Sequence, residues 1–341
     1  MKITIADIAA RAGVSKATVS RVLNHRPEGV GPGTRARIET ILRDTGFQPS
    51  GVARGLATGK SRSVGLIIPD IANPFYPLLV RGVEGALNES GYSLFLCDSG
   101  CSIVKEKDYV RILLEKGVDG VILDSAESDC DCQLELLEAN GVPFVLLDRL
   151  IEGRPGATGV FVDNREGARQ AAAHLLARPG CALVYLNGPA HLSQSILRRA
   201  GVEDIVRALG LPVQALRVLD GDDTLEGGYR LTAALLAQAL PCDAIFACND
   251  LMAVGALRAL KQFGIAVPGT VEVIGFDDID LARLVEPPLS TVSQPALEMG
   301  ARSAELLLQL MTGGVPETSV MKPRLVLRGT TRNSSAPSFP A

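Results

Sequence analysis

From Val64 onward the chain alternates short apolar runs with amphipathic stretches of helical length, and few architectures accept that rhythm. The runs are Val64 to Pro69, Ser93 to Cys97, Gly120 to Leu123, Phe144 to Leu147, Leu183 to Leu186, Ala244 to Ala247 and Val271 to Gly275. Helical periodicity falls between them, as in Pro77 to Ser90, Arg165 to Ala177 and Leu251 to Phe263. A strand that is apolar throughout is buried on both faces, which is the situation of a parallel sheet covered by helices on each side. The pattern therefore predicts α/β doubly wound sheets. About 280 residues exceed one comfortable core, so two such sheets are expected.

The first sixty residues follow a different grammar and carry the opposite charge. They hold ten Lys or Arg against four Asp or Glu, whereas the rest of the chain holds 24 against 34, a split hidden by the overall net charge of −4. Such asymmetry points to a polyanion partner for one end only. Thr4 and Asp7 form a helix-start signal, and apolar Ile5, Ile8 and Ala9 follow at helical spacing up to Arg11. Gly13 supplies a tight turn, and Ser15 can cap a second helix bearing Val19, Val22 and Leu23. A third amphipathic segment, Thr34 to Asp44, places Ile38, Ile41 and Leu42 on one face. This order is that of a helix-turn-helix unit, with a plain three-helix bundle as the blander alternative.

The stretch TIADIAARAGVSKATVSRVLN at residues 4–24 resembles the headpiece of the lactose and galactose repressor family of bacterial transcription regulators. The likeness continues through NPFY at 73–76, VDGVIL at 118–123, NDLMAVGAL at 249–257, VIGFDD at 273–278 and PPLSTV at 287–292. It implies a helix-turn-helix headpiece followed by a periplasmic-binding-protein-like body of two lobes, with the chain crossing between them near residues 162, 291 and 323. The expected division is a headpiece over 1–48, a hinge helix and linker over 49–62, a first lobe over 63–161 plus 292–322, a second lobe over 162–291 plus 323–332, and a disordered Ser- and Pro-rich tail over 333–341.

In such a head, Lys16, Ala17 and Arg21 lie on the exposed side of the second helix, where side chains reach base edges. Thr4, Ser15, Thr18, Asn24 and His25 read as groups that position the DNA backbone, with helix caps as the competing role. The segment after Pro49 contains Gly51 and Gly55 and is too short to be helical alone. The resemblance makes it a hinge helix that pairs with a second copy in the minor groove, where Leu56, flanked by Val52 and Ala53, wedges between base pairs.

Ligands of open α/β sheets sit beyond the carboxyl ends of the strands. That rule and the resemblance together nominate Asn73, Phe75, Tyr76, Asp124, Arg149, His191, Asn249, Asp277 and Gln294 as effector-binding, a set of amides, carboxylates and aromatics suited to a hydroxyl-rich ligand. Two departures from the family pattern are expected: Ile196 standing where a cationic side chain usually meets the effector, and Asp223 where an aromatic often covers it. Both shift the expectation from anions toward a neutral or cationic effector.

Other chemistry lacks its anchors. The seven cysteines show no zinc-finger spacing and the three histidines no ligand spacing, so no metal is expected. No GxGxxG or phosphate loop follows the first strand and no GxSxG elbow occurs, so no cofactor or catalytic group is expected. Met1 leads directly into the headpiece without a signal segment, and no apolar run reaches membrane-spanning length, so a cytoplasmic protein is expected. The expectation is thus a homodimeric regulator, most simply a repressor, that reads palindromic double-stranded DNA and answers a small-molecule effector; pairing of dimers into tetramers stays open. A cytosolic ligand sensor, or a cleft enzyme using Asp277 and Asp278, remains the alternative.

Overall fold

A computed structural model describes residues 3–23, 29–47, 60–125, 131–149 and 157–332. The chain divides into two compact units, Met1–Arg62 and Ser63–Ala341. In the first, helix α1 (Ile5–Ala12) begins at a complete capping box: Thr4 Oγ1 accepts from the Asp7 amide at 3.4 Å, and the Asp7 carboxylate accepts from the Thr4 amide at 2.8 Å. Gly13, at φ 63°, ends it with a left-handed C-cap. Helices α2 (Lys16–Leu23) and α3 (Pro32–Thr45) follow, and Ile8, Ala12, Val19, Val22 and Ile38 are buried together where the three meet.

The second unit contains two six-stranded sheets among the described residues. The first has the order β11-β5-β4-β3-β1-β2, built from β1 (Ser63–Ile68), β2 (Ser93–Asp98), β3 (Gly120–Leu123), β4 (Phe144–Leu147), β5 (Gly159–Val162) and β11 (Ser319–Met321). All its pairings are parallel. The second has the order β12-β10-β9-β8-β6-β7, from β6 (Leu183–Asn187), β7 (Leu216–Asp220), β8 (Ala244–Ala247), β9 (Glu272–Asp277), β10 (Ser290–Ser293) and β12 (Arg324–Val326), with only β12 antiparallel. Strands β1, β3, β6, β8 and β9 are buried at every position, as continuous apolar runs require. Strand β2 departs from that pattern: as an edge strand it exposes Phe95 and Leu96.

The chain passes from the first sheet to the second after β5 and back after β10, because helix α12 (Ala296–Met311) packs beneath the first sheet on α4 (Phe75–Glu89). The backward crossing, expected near 291, therefore falls just beyond Ser293. A third crossing separates β11 from β12.

Each lobe packs one helix pair through facing glycines. A Cβ at Gly82 of α4 would lie 2.0 Å from the Leu297 carbonyl oxygen, and one at Gly300 of α12 would lie 2.0 Å from that of Leu79. In the second lobe, Gly228 of α9 (Leu225–Ala237) and Gly255 of α10 (Asp250–Gln262) approach backbone just as closely. Only bare backbone permits these separations.

Candidate functional site

On the headpiece, Lys16, Ala17 and Arg21 are exposed on α2, while Val19 and Val22 of the same helix are buried. The helix thus offers two cationic side chains and a small apolar one on its free side. Thr4, Ser15 and Thr18 all take part in helix capping: Ser15 Oγ accepts from the Thr18 amide at 3.2 Å and shares a hydrogen bond with the Thr18 hydroxyl at 2.9 Å. Asn24, His25, Val52, Ala53 and Leu56 lie outside the described residues.

In the second unit, the carboxyl ends of both sheets converge on a cleft lined by Asn73, Phe75, Tyr76, Asp148 and Arg149 from the first lobe. Gln194, Ser195, Arg198, Asp223, Cys248, Asn249 and Asp277 line it from the second, and Gln294 from the crossing. Phe75 and Tyr76 open α4 and meet edge to face, with centroids 5.3 Å apart. Asn73 braces this turn, its Oδ1 accepting from the Phe75 amide at 3.0 Å.

Arg149 is buried behind the aromatic pair, donating to the Ser125 carbonyl at 2.8 Å with Nε 3.5 Å from Asp124. Burial opposes its charge, but Tyr76, Asp124 and Asp148 outweigh burial and keep the guanidinium protonated. Asp124 is a correction to the nominated set. It is fully buried and absent from the cleft wall, and acts from behind by holding Arg149. Burial pushes its carboxyl well above the ordinary range, more than Arg149 lowers it, and burial likewise keeps the Tyr76 phenol protonated.

A second correction concerns helix α8 (Ser193–Ala208). Ile196 is 48 % exposed and lines nothing in the cleft, whereas Arg198 is 5 % exposed and reaches its floor. Two residues on an α-helix turn the side chain by about 200°, so one faces water because the other faces inward. The Arg198 guanidinium lies 3.7 Å over the Phe276 ring. It donates to Asn164 Oδ1 at 2.7 Å and to the Cys248 carbonyl, and stands 3.9 Å from Asp277. The cleft has therefore kept its second cation, and Ile196 gives no reason to expect otherwise. His191 is a third correction: it is exposed on the loop before α8, away from the cleft wall.

Asn249 lines the cleft and is fixed in place from both sides of its amide, with one N–H still to offer. Its Oδ1 caps α10 through the Met252 amide at 2.8 Å, and its amide donates to the Asp223 carbonyl at 2.9 Å. Asp277 accepts from Gln294 at 2.7 Å. Burial, reinforced by Asp148 and Asp223 and opposed by Arg198 and Gln294, pushes the Asp277 carboxyl up to about 7. The backbones of Asp148, Asp223 and Asp277 take positive φ values of 60°, 62° and 115°. Backbone strain of this kind gathers where side chains must be aimed.

Asp148 Oδ1, Gln194 Oε1 and Gln294 Oε1 are buried without a hydrogen-bond partner. All three are acceptors. A buried acceptor left unpaired costs about 1–3 kcal/mol, and the one cleft-lining donor likewise unpaired, Arg149 Nε, stands 3.5 Å from Asp124, so the cleft favours a ligand that presents donors. Gln194, Ser195, Arg198 and Cys248 escaped the sequence reading. The only signal for them was their place on the helix and strand end that bound the second lobe's side of the cleft. No group of three or more potential metal ligands occurs among the described residues. No described helix is long and apolar enough to cross a membrane.

Comparison with known proteins agrees with this geometry. Residues 4–50 match the model of bacterial regulatory proteins of the lacI family, and residues 172–331 match a periplasmic binding protein-like domain. The ribose operon repressor of Halalkalibacterium halodurans is 35 % identical over 332 residues, covering 96 % of this chain and 97 % of that protein. The transcriptional repressor CytR of Escherichia coli K12 is 32 % identical over 96 % of both chains. Among solved structures, the lac repressor dimer bound to operator and the anti-inducer ONPF superposes with a TM-score of 0.87 at 28 % identity, covering 97 % of this chain and 99 % of that one. The regulator CelR in complex with cellobiose gives 0.73 at 31 % identity, covering 96 % and 99 %. Matched at both ends and along almost its whole length, the chain belongs to the lacI family of bacterial regulatory proteins.

Proposed function

We propose that this protein is a sequence-specific DNA-binding repressor of transcription whose affinity for its operator is set by a small polar metabolite held between the lobes. The carrying observation is the coexistence in one chain of a helix-turn-helix head with Lys16, Ala17 and Arg21 exposed on α2 and a cleft whose buried acceptors lack partners. Two copies reading a palindromic site place α2 of each head in successive major grooves, with Lys16 and Arg21 donating to base edges. Phe95 and Leu96, apolar and exposed on edge strand β2, offer a surface for the homodimer.

The hinge segment, with Val52, Ala53 and Leu56, wedges the minor groove and joins a headpiece over 1–48 to a first lobe over 63–162 plus 294–322 and a second over 163–293 plus 323–332. In the cleft, Asn73, Phe75, Tyr76, Arg149, Asp223, Asn249, Asp277 and Gln294, joined by Gln194 and Arg198, hold the effector. Both lobes touch it, so a ligand that prefers one lobe angle biases the hinge pair and thereby operator affinity. Support also comes from the solved relative with bound ribose, a regulator from Enterococcus faecium 30 % identical to this chain, with a TM-score of 0.72 and 79 % of this chain and 98 % of that one covered.

An enzymatic reading fares poorly on the same residues. Asp278, the neighbour needed for an acid–base pair with Asp277, is tied to Arg328 and lies 3.6 Å from Arg283. The cytoplasm, where operator DNA is found, is the corresponding place of action. Selection from a randomised oligonucleotide pool, repeated with a panel of sugars and nucleosides, tests the proposal. Enrichment of a palindrome that a panel member strengthens or weakens is expected; absence of any preferred sequence refutes it.

A further inference from the structure

Both cations of the cleft are occupied by protein groups. Arg149 is taken up by Asp124 and the Ser125 carbonyl, and Arg198 by Asn164, the Cys248 carbonyl and Asp277. Two other carboxylates line the same space without a close ion pair of their own. Asp148, at the end of β4, is 6 % exposed and leaves Oδ1 without a partner. Asp223 approaches from the opposite lobe, and among the described residues no Lys, Arg or His nitrogen lies within ion-pairing distance of it.

The Asp223 carboxylate is seated, not stray. A Cβ on Gly188 would fall 2.4 Å from its Oδ1, so the bare glycine makes room for it. The Cys248 thiol donates to the same oxygen at 3.0 Å, and the Asp223 carbonyl accepts from Asn249. Burial and Asp223 both raise the thiol's pKa, which keeps that proton on sulfur. Burial pushes the Asp148 carboxyl up, Arg198 and Arg149 pull it back, and the charge of Asp223 across the cleft raises it again.

We propose that Asp223 is a specificity-determining residue that, with Asp148, selects an effector carrying a positively charged amine on an otherwise hydroxyl-bearing frame. This rests on the repressor reading and narrows its ligand class. An ammonium between the two carboxylates supplies a donor to the Asp148 Oδ1, which otherwise lacks one, and offsets the repulsion that acts between the lobes. A neutral hydroxyl satisfies an acceptor but leaves that repulsion. The Gln194 and Gln294 oxygens then receive the ligand's hydroxyls.

The test uses the full chain and matched probes: D-glucose, D-galactose, D-mannose and D-ribose, each against its amino-deoxy counterpart, read by melting temperature and titration calorimetry. An amino member is expected to raise the melting temperature more than its hydroxyl partner. Asp223→Asn is expected to weaken that amine by roughly tenfold or more and its hydroxyl partner by clearly less, so that the preference for the amine narrows. Asp148→Asn is the second variant, and the ligand-free melting temperatures of both report whether they fold. Hydroxyl members that bind as well as the amino ones, amine binding untouched by Asp223→Asn, or no stabilisation by any amino member each overturn the proposal. Operator selection does not depend on these outcomes, so the repressor reading stands or falls separately.

Discussion

Gly82 and Gly85 lie one turn apart on α4, and alanine should act on them in opposite directions. At Gly82 the new Cβ would stand 2.0 Å from the Leu297 carbonyl oxygen and 2.9 Å from the Ala301 amide nitrogen. Ordinary contact begins near 3.4 Å, so α4 and α12 must part by roughly 1 Å or more. A gap of that size forfeits a quarter to a half of each affected dispersion contact. Leu79, Val83 and Leu307, all fully buried beside this seam, would lose theirs. Overpacking of this kind costs about 3 kcal/mol, from which about 1 kcal/mol of helix propensity is recovered. At Gly85 nothing lies within 4 Å, so only the propensity gain of about 1 kcal/mol remains. The two variants should therefore differ by about 3 kcal/mol, or at least about 6 °C in the melting of the larger unit by scanning calorimetry. Phe75 and Tyr76 open α4 and Gln294 lies two residues before α12, so Gly82→Ala should also loosen effector binding while Gly85→Ala leaves it intact. Equal shifts of the same sign, or a Gly82→Ala protein as stable as the parent, would refute the close-approach argument.

Three further outcomes follow from the described geometry. Ile38→Ala empties the centre of the small headpiece core, where Ile38 is fully buried, and should cost about 2–4 kcal/mol. Operator binding by gel shift should be lost while the larger unit melts unchanged; a lowered melting temperature there would contradict the division into two units. Arg21→Ala should flatten base preference at one position in each half-site, removing about 1–3 kcal/mol of discrimination, and an unaltered selection profile argues against direct readout by that side chain. Asp277 has a folded-state pKa raised to about 7 from an ordinary 3.8. Its contribution to stability is thus fully present below pH 3.8 and is lost as pH rises through 7. Asp277→Asn should reduce the decline in stability measured by urea titration between pH 4 and 8, and an unchanged slope would show that Asp277 does not titrate in that window.

The parts of the structure that could be read from sequence were those where a local rule and the tertiary environment agree. The Thr4–Asp7 capping box, the Gly13 stop and the fully buried strands β1, β3, β6, β8 and β9 belong to this class. Strand β10 escaped notice because Ser-Thr-Val-Ser does not read as core. Ser290 and Thr291 are buried only because Thr331 and Asp250 bond their hydroxyls and Thr330 accepts from the Ser290 amide. Strands β7, β11 and β12 lie at sheet edges and carry exposed positions, so no apolar run marks them. In the cleft, residues at strand ends such as Arg149 and Asp277 were legible from topology. Arg198 was not, because an arginine on a helix reads as solvent-facing until the partners that bury it, Asn164 and the Cys248 carbonyl, are known from elsewhere in the chain.

The last thirty-odd described residues finish both halves of the body, since α12 underlies the first sheet while β11 and β12 form the outer strands of one sheet each. A nascent chain leaving the ribosome can therefore complete its three-helix head long before it owns a working receptor. Recognition of the metabolite becomes available only once this segment has been made, and truncation shortly after Ser293 would silence both lobes together rather than sparing one.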